Sequence, residues 1–156
     1  MTVVEISDEE NLAVLSDKFV ESMARLDGGT EQKYVLKEIR KIIESNTPRR
    51  FVYEVPEGCD TLEILRGTDH LRIYCKLVEE IPRENKTYNL LLLFYVDRHN
   101  YRSQKLQNMD SVARSEIERI EKFRSLDAVE RYLEQRQALD EDELTRLIED
   151  GSDAFD

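Results

Sequence analysis

Residues 90–104, LLLLFYVDRHNYRSQ, set Arg98, His99, Tyr101 and Arg102 directly behind a long apolar run. Earlier in the chain, LEILRGTDHLRIYCKLV places Arg66 and Arg72 on either side of a turn at Gly67-Thr68-Asp69, with Tyr74 and Lys76 following. Guanidinium groups match phosphate oxygens in a fork, and they stabilise the negative charge that builds up when a phosphodiester is attacked. These residue types therefore point to phosphodiester binding or cleavage. On spacing alone the simpler reading is different: solvated strand-end charges paired with Glu63, Asp69 and Asp97.

Other chemistry has little support. No glycine-rich phosphate loop and no nucleophile elbow occurs, and His70 and His99, the only histidines, have no ligand-like spacing. No metal site or cofactor is expected. Cys59 and Cys75 are too few for a disulfide framework, and Cys75 reads as a small buried strand residue. The first twenty residues lack a basic start followed by an apolar run, so no secretory signal is expected. The run Leu90–Val96 is too short to span a bilayer. The expected location is cytoplasmic, without membrane association.

The elements that must position the arginines follow from periodicity. TVVEI suggests a short opening strand. Leu12, Leu15, Phe19, Met23 and Leu26 recur at steps of three and four, which predicts one helix from about residue 9, capped by Ser7-Asp8 and stopped by Gly28-Gly29. Tyr34, Val35, Ile39, Ile42 and Ile43 predict a second helix, ended by Asn46-Thr47-Pro48. Alternation then predicts strands in RRFVYEV, in TLEIL, in HLRIYCKLV and in TYNLLLLFYV. In the third of these, Leu71, Ile73, Cys75 and Leu77 point one way and Arg72, Tyr74 and Lys76 the other. The last is nearly all apolar, as expected of a strand buried on both faces. Helices resume after Ser103, break near Ser125-Leu126-Asp127, and end in LDEDELTRLIED.

The fold expected is thus α+β, with an N-terminal helical hairpin packed on a roughly four-stranded antiparallel sheet and a C-terminal helical extension. Residues 1–125 would form the main domain and 126–156 an acidic extension, whose apolar stripes dock on the sheet or on a partner. Charge is uneven along the 156 residues. The formal net charge is −11, and from Glu116 onward 14 acidic residues face 6 basic ones. The segment 49–105 carries 10 basic against 9 acidic residues. An overall acidic chain opposes nucleic-acid binding, whereas a local cationic site remains open.

The order strand, helical hairpin, antiparallel meander resembles the RelE/HigB/ParE toxin superfamily. The similarity rests on LEILRGTDHLRIYCKLV and YNLLLLFYVDRHNYR and covers roughly residues 2–120. It implies a RelE-like toxin of a type II toxin–antitoxin pair, a ribosome-dependent endoribonuclease that cleaves messenger RNA by metal-independent attack of the ribose 2′-hydroxyl on the adjacent phosphate. By the same resemblance Arg66, Arg72, Arg98 and Tyr101 would be catalytic, and Tyr74, Lys76 and Arg102 would bind RNA. The implied partners are a cognate antitoxin, the ribosome and messenger RNA. The chain departs from the family in its length, its acidity and in Asp97, which stands where a cation would help. A non-catalytic protein-interaction module, or a gyrase-type poison on the same fold, is the alternative expectation.

Overall fold

A computed structural model describes residues 8–26, 30–55, 58–65, 71–82, 86–97 and 103–150. Among them, six strands form one mixed sheet: β1 (Asp8–Leu15), β2 (Val52–Glu54), β3 (Glu63–Leu65), β4 (Arg72–Ile81), β5 (Lys86–Asp97) and β6 (Gln137–Leu139). Their spatial order is β2-β3-β4-β5-β1-β6. Five helices accompany them: α1 (Asp17–Ala24), α2 (Glu31–Ile43), α3 (Ser103–Glu121), α4 (Leu126–Glu134) and α5 (Glu141–Asp150). No described helix is long and apolar enough to cross a membrane.

The α+β class holds, but its detail differs from expectation in four ways. The sheet has six strands rather than four, and it is mixed, because β1 runs parallel to β5. The first predicted helix begins late. Residues 8–15 are strand, and Ser16 rather than Ser7 or Asp8 caps α1, accepting from the Phe19 N–H at 3.1 Å. The physical reason lies in Leu12–Leu15: Leu12 and Val14 enter one core and Ala13 and Leu15 the other, a two-sided burial that only a strand between β5 and β6 allows. An N-terminal hairpin is not clear either, since α1 packs chiefly on β5 while α2 packs on α5 and β1. Finally, the segment after Ser125 contributes β6 to the sheet, and its Ser125 caps α4 at the expected break.

The sheet is covered on both sides. Phe19, Met23, Val35, Ile39 and Leu144 bring α1, α2 and α5 to one face. Leu106, Ala113, Ile120, Val129 and Tyr132 bring α3 and α4 to the other. Between two helical layers β5 is apolar at most positions, and Thr87–Phe94 are all buried, with Asn89 using its side chain in hydrogen bonds. That much matches the sequence expectation.

Polar ties fix the layers. Asp110 of α3, nearly buried, accepts the N–H groups of Thr61 at 2.8 Å and Leu62 at 2.7 Å, and Arg114 reaches it at 3.1 Å. Burial alone would raise the Asp110 carboxyl. The N–H groups of Leu62, Thr61 and Asp60, with Arg114, overcome that and hold it below the ordinary carboxylate value. A depressed folded-state value stabilises above the unfolded value of about 3.9 and is lost as pH falls through the folded one. Asp110→Asn is therefore expected to destabilise at pH 7 by about 1–3 kcal/mol, and to shrink that difference in acid. Denaturant titrations at pH 7 and pH 3 measure it; an equal loss at both pH values would contradict the assignment.

Candidate functional site

Strand β5 outruns its neighbour. β1 ends at Leu15 opposite Leu93, so Phe94 to Asp97 extend beyond it. Helix α1 takes over there through two serines. The Ser16 N–H donates to the Leu93 carbonyl at 3.1 Å, and its hydroxyl faces the Phe94 carbonyl at 3.4 Å. Ser22, buried, accepts the Val96 N–H at 3.1 Å and donates to the Phe19 carbonyl at 2.7 Å. The open end of the sheet is thus rigid despite lacking a strand partner.

A β-bulge then re-aims the strand. Tyr74 pairs with Tyr95 but the next residue, Cys75, pairs with Leu93, so Phe94 is the extra residue. Phe94 and Tyr95 consequently both lie toward the α3 layer, and Val96 returns to the α1 layer. Turned this way, Tyr95 meets two cations. Arg25, at the C-cap of α1, donates to its phenol oxygen at 3.0 Å, and the Lys105 ammonium of α3 stands 4.9 Å from its ring centroid. Arg72 opens β4 at the same sheet end, in register with Asp97 and two residues from Tyr74.

Three elements therefore deliver Arg25, Arg72 and Lys105 to the strand end that displays Tyr95. Such a set suits a phosphate group, because cations from several directions complement a tetrahedral anion. Arg66, Arg98, Tyr101 and Arg102 lie outside the described residues. The residues just before two of them, Leu65 and Asp97, end β3 and β5 at this same end, where Arg72 begins β4.

Two of the expected RNA-binding side chains are elsewhere engaged. Tyr74 is fully buried in the core beneath α3 and α4, because its face of β4 is covered rather than open. Lys76 lies 3.5 Å from Glu63, a buried carboxylate that also accepts from Arg49 at 2.7 Å and from the Leu77 N–H at 3.1 Å. Arg49 is in turn held by Glu79 at 3.1 Å and the Leu77 carbonyl at 3.0 Å. Lys76 thus helps compensate a buried charge instead of facing a ligand. Beside this network burial foremost, then Glu63, pushes the Cys75 thiol well up, so it is no nucleophile. Among the described residues Glu63, expected to pair with strand-end arginines, pairs with Arg49 of the turn before β2 and with Lys76.

Arg25, Tyr95 and Lys105 were missed at the sequence level. Strict alternation puts Tyr95 on the face of Leu91 and Leu93, and nothing in LLLLFYVD announces the bulge. Nearby, the chain leaves β1 toward α1 on one face and β5 toward α3 on the other, a divergence that opens a crevice between parallel strands. A cavity of about 90 Å³ sits there, floored by Val14, Leu92 and Phe94. Glu116 closes its mouth, accepting from the Tyr132 hydroxyl and from Arg136 at 3.1 Å, while Arg136 stacks 4.6 Å from the Tyr132 ring. Burial, and then Glu116, pushes the Tyr132 phenol up, so it stays neutral and acts as a fixed donor. Among the described residues no group of His, Cys, Asp and Glu is placed to hold a metal ion. Comparison with protein-family models, curated proteins and solved structures finds no match to this chain.

Proposed function

We propose that this chain is a RelE-like toxin, a ribosome-dependent endoribonuclease that grips a messenger-RNA phosphate at the open end of β3, β4 and β5. One observation carries the reading: Arg25 and Lys105 meet at Tyr95 near the end of β5, and Arg72 begins β4 opposite Asp97 at that same end. The sequential order behind the resemblance, strand, two helices and meander, also occurs in β1, α1, α2 and β2–β5.

In the proposed reaction the ribose 2′-oxygen forms a bond to the adjacent phosphorus and the bond to the 5′-oxygen breaks. The products are a 2′,3′-cyclic phosphate and a 5′-hydroxyl. The proton of the 2′-hydroxyl goes to a base, and the leaving 5′-oxygen gains one from an acid. The cations would stabilise the extra negative charge on the phosphorane-like oxygens, and a tyrosine, Tyr101 or Tyr95, would assist proton transfer. A cognate antitoxin would hold the site idle until released.

A second reading is a non-catalytic protein-interaction module, or a gyrase-type poison. It is favoured by Tyr74 and Lys76 being turned away from any ligand and by the −11 net charge. Induced expression without a partner separates the two. The toxin reading expects growth arrest with messenger RNA cut in phase with codons. Normal growth, or arrest without RNA cuts, selects the second reading.

A further inference from the structure

At the other end of the sheet β4 is irregular. Val78 pairs with Leu90 and Ile81 with Tyr88, so Glu79 and Glu80 together oppose Asn89. Glu80 adopts φ of +58°, a left-handed conformation that non-glycine residues rarely take and hold only when their surroundings impose it. The imposing contacts are visible. The Asn89 side-chain oxygen accepts the Glu80 N–H at 2.9 Å, and its amide donates to Asn11 at 2.8 Å, which in turn donates to the Ile43 carbonyl at 2.8 Å. A polar chain joining four elements, β4, β5, β1 and α2, thus fixes the bend.

The bend leaves a groove of about 610 Å³ between the end of β4 and the end of α3. Its apolar lining is the half-buried Phe123 together with Ile81, Pro82 and Ile120, which are themselves buried. Its rim is acidic. Glu79, Glu80 and Glu121 line it, and the C-terminus of α3 adds the negative end of a helix dipole. Glu79 is engaged by Arg49, whereas Glu80 and Glu121 carry no ion pair among the described residues. Among the described lining residues the one cation, Arg124, turns its guanidinium onto the carbonyls of Glu121 at 2.6 Å and Phe123 at 3.1 Å.

We infer that this groove docks a basic amphipathic segment of a partner protein, with an apolar side chain against the exposed part of Phe123 and flanking lysines or arginines against Glu80 and Glu121. Charge complementarity selects this occupant at two scales. The rim presents two carboxylates, Glu80 at the end of β4 and Glu121 at the end of α3, that carry no ion pair among the described residues. The molecule's net charge of −11 steers cationic partners toward it. The groove is separate from the strand end that displays Tyr95, so the inference stands apart from the proposed ribonuclease activity.

The test is fluorescence anisotropy of the full chain with a labelled heptapeptide in which single leucines alternate with pairs of lysines. Saturable binding is expected at low salt, weakened about tenfold by the double variant Glu80→Gln, Glu121→Gln, both exposed positions, and by a similar factor at 0.5 M salt. A lysine-only peptide should bind at least tenfold more weakly, because the apolar anchor is gone. The variant Glu141→Gln, Asp142→Asn, which reduces an acidic patch elsewhere, should leave binding unchanged. No binding, equal binding of the lysine-only peptide, or equal loss in both double variants would each overturn the proposal, the last two by revealing unspecific charge attraction.

Discussion

If the chain is the ribonuclease proposed, Arg72→Ala is expected to lower RNA cleavage by roughly 10²–10³-fold, the loss typical of removing one preorganised electrostatic donor. Arg72 opens β4 at the end where β5 displays Tyr95, and its backbone register with Asp97 ties it to a rigid strand pair. A guanidinium on such a strand loses little entropy on meeting a phosphate, so its charge counts most when phosphorane charge develops. Stability should change by less than about 0.5–1 kcal/mol, because the position is a strand end and not core. Cleavage of a ribosome-bound message in a translation extract gives the rate, and thermal melting gives the stability. Lys76→Ala supplies the contrast: with its ammonium committed to Glu63, its loss should leave the cleavage rate within a factor of about three while costing up to about 1 kcal/mol of stability. Wild-type cleavage by Arg72→Ala, or a Lys76→Ala defect as large as that of Arg72→Ala, would remove the strand-end site.

Truncation after Ser125 is expected to abolish cooperative folding. The lost segment contributes five buried side chains, Val129, Tyr132, Leu139, Leu144 and Ile148, divided between the two cores. At about 1.5–3 kcal/mol each, they rival the whole stability of about 5–15 kcal/mol that a domain of this size has. Removing β6 also strips β1 of the partners of Ala13, Val14 and Leu15, exposing an apolar strand edge. The shortened chain should melt without a cooperative transition by circular dichroism and elute as aggregate. A sharp transition near that of the full chain would instead mean that residues 126–156 are a dispensable appendage. The acidic run Asp140–Asp142 lies beside Glu9, Glu10 and Glu44 near the start of β1, away from Arg72. It is in no position to mimic a phosphate at the strand end.

How far the sequence reaches is seen best at individual residues. Leu90–Phe94 announce a strand covered on both faces, and the structure supplies helices on both. Ile73, Cys75 and Leu77 oppose Tyr74 as alternation requires. Ser125 marks a helix start because a hydroxyl there satisfies an otherwise unpaired N–H group. These features are local: periodicity and capping depend on neighbours a few residues away, so composition and spacing alone determine them.

Leu12–Leu15 lie beyond that range. The same leucines fit a helical stripe or a two-sided strand, and only the seat between β5 and β6 decides for the strand. The burial of Tyr74 and the pairing of Lys76 with Glu63 also follow from what packs above each face, which alternation cannot reveal. The bulge at Phe94 is the sharpest case. One extra residue reverses the face of everything after it, and so carries Tyr95 from the α1 layer to Lys105. The sequence by itself singled out some residues of the right chemistry for a phosphate, Arg72 among them, and showed that a core strand ends near them, but did not single out Arg25 or Lys105. Which of them share one end of the sheet, and which are withdrawn into its interior, was decided by long-range strand register and by helices arriving from distant parts of the chain.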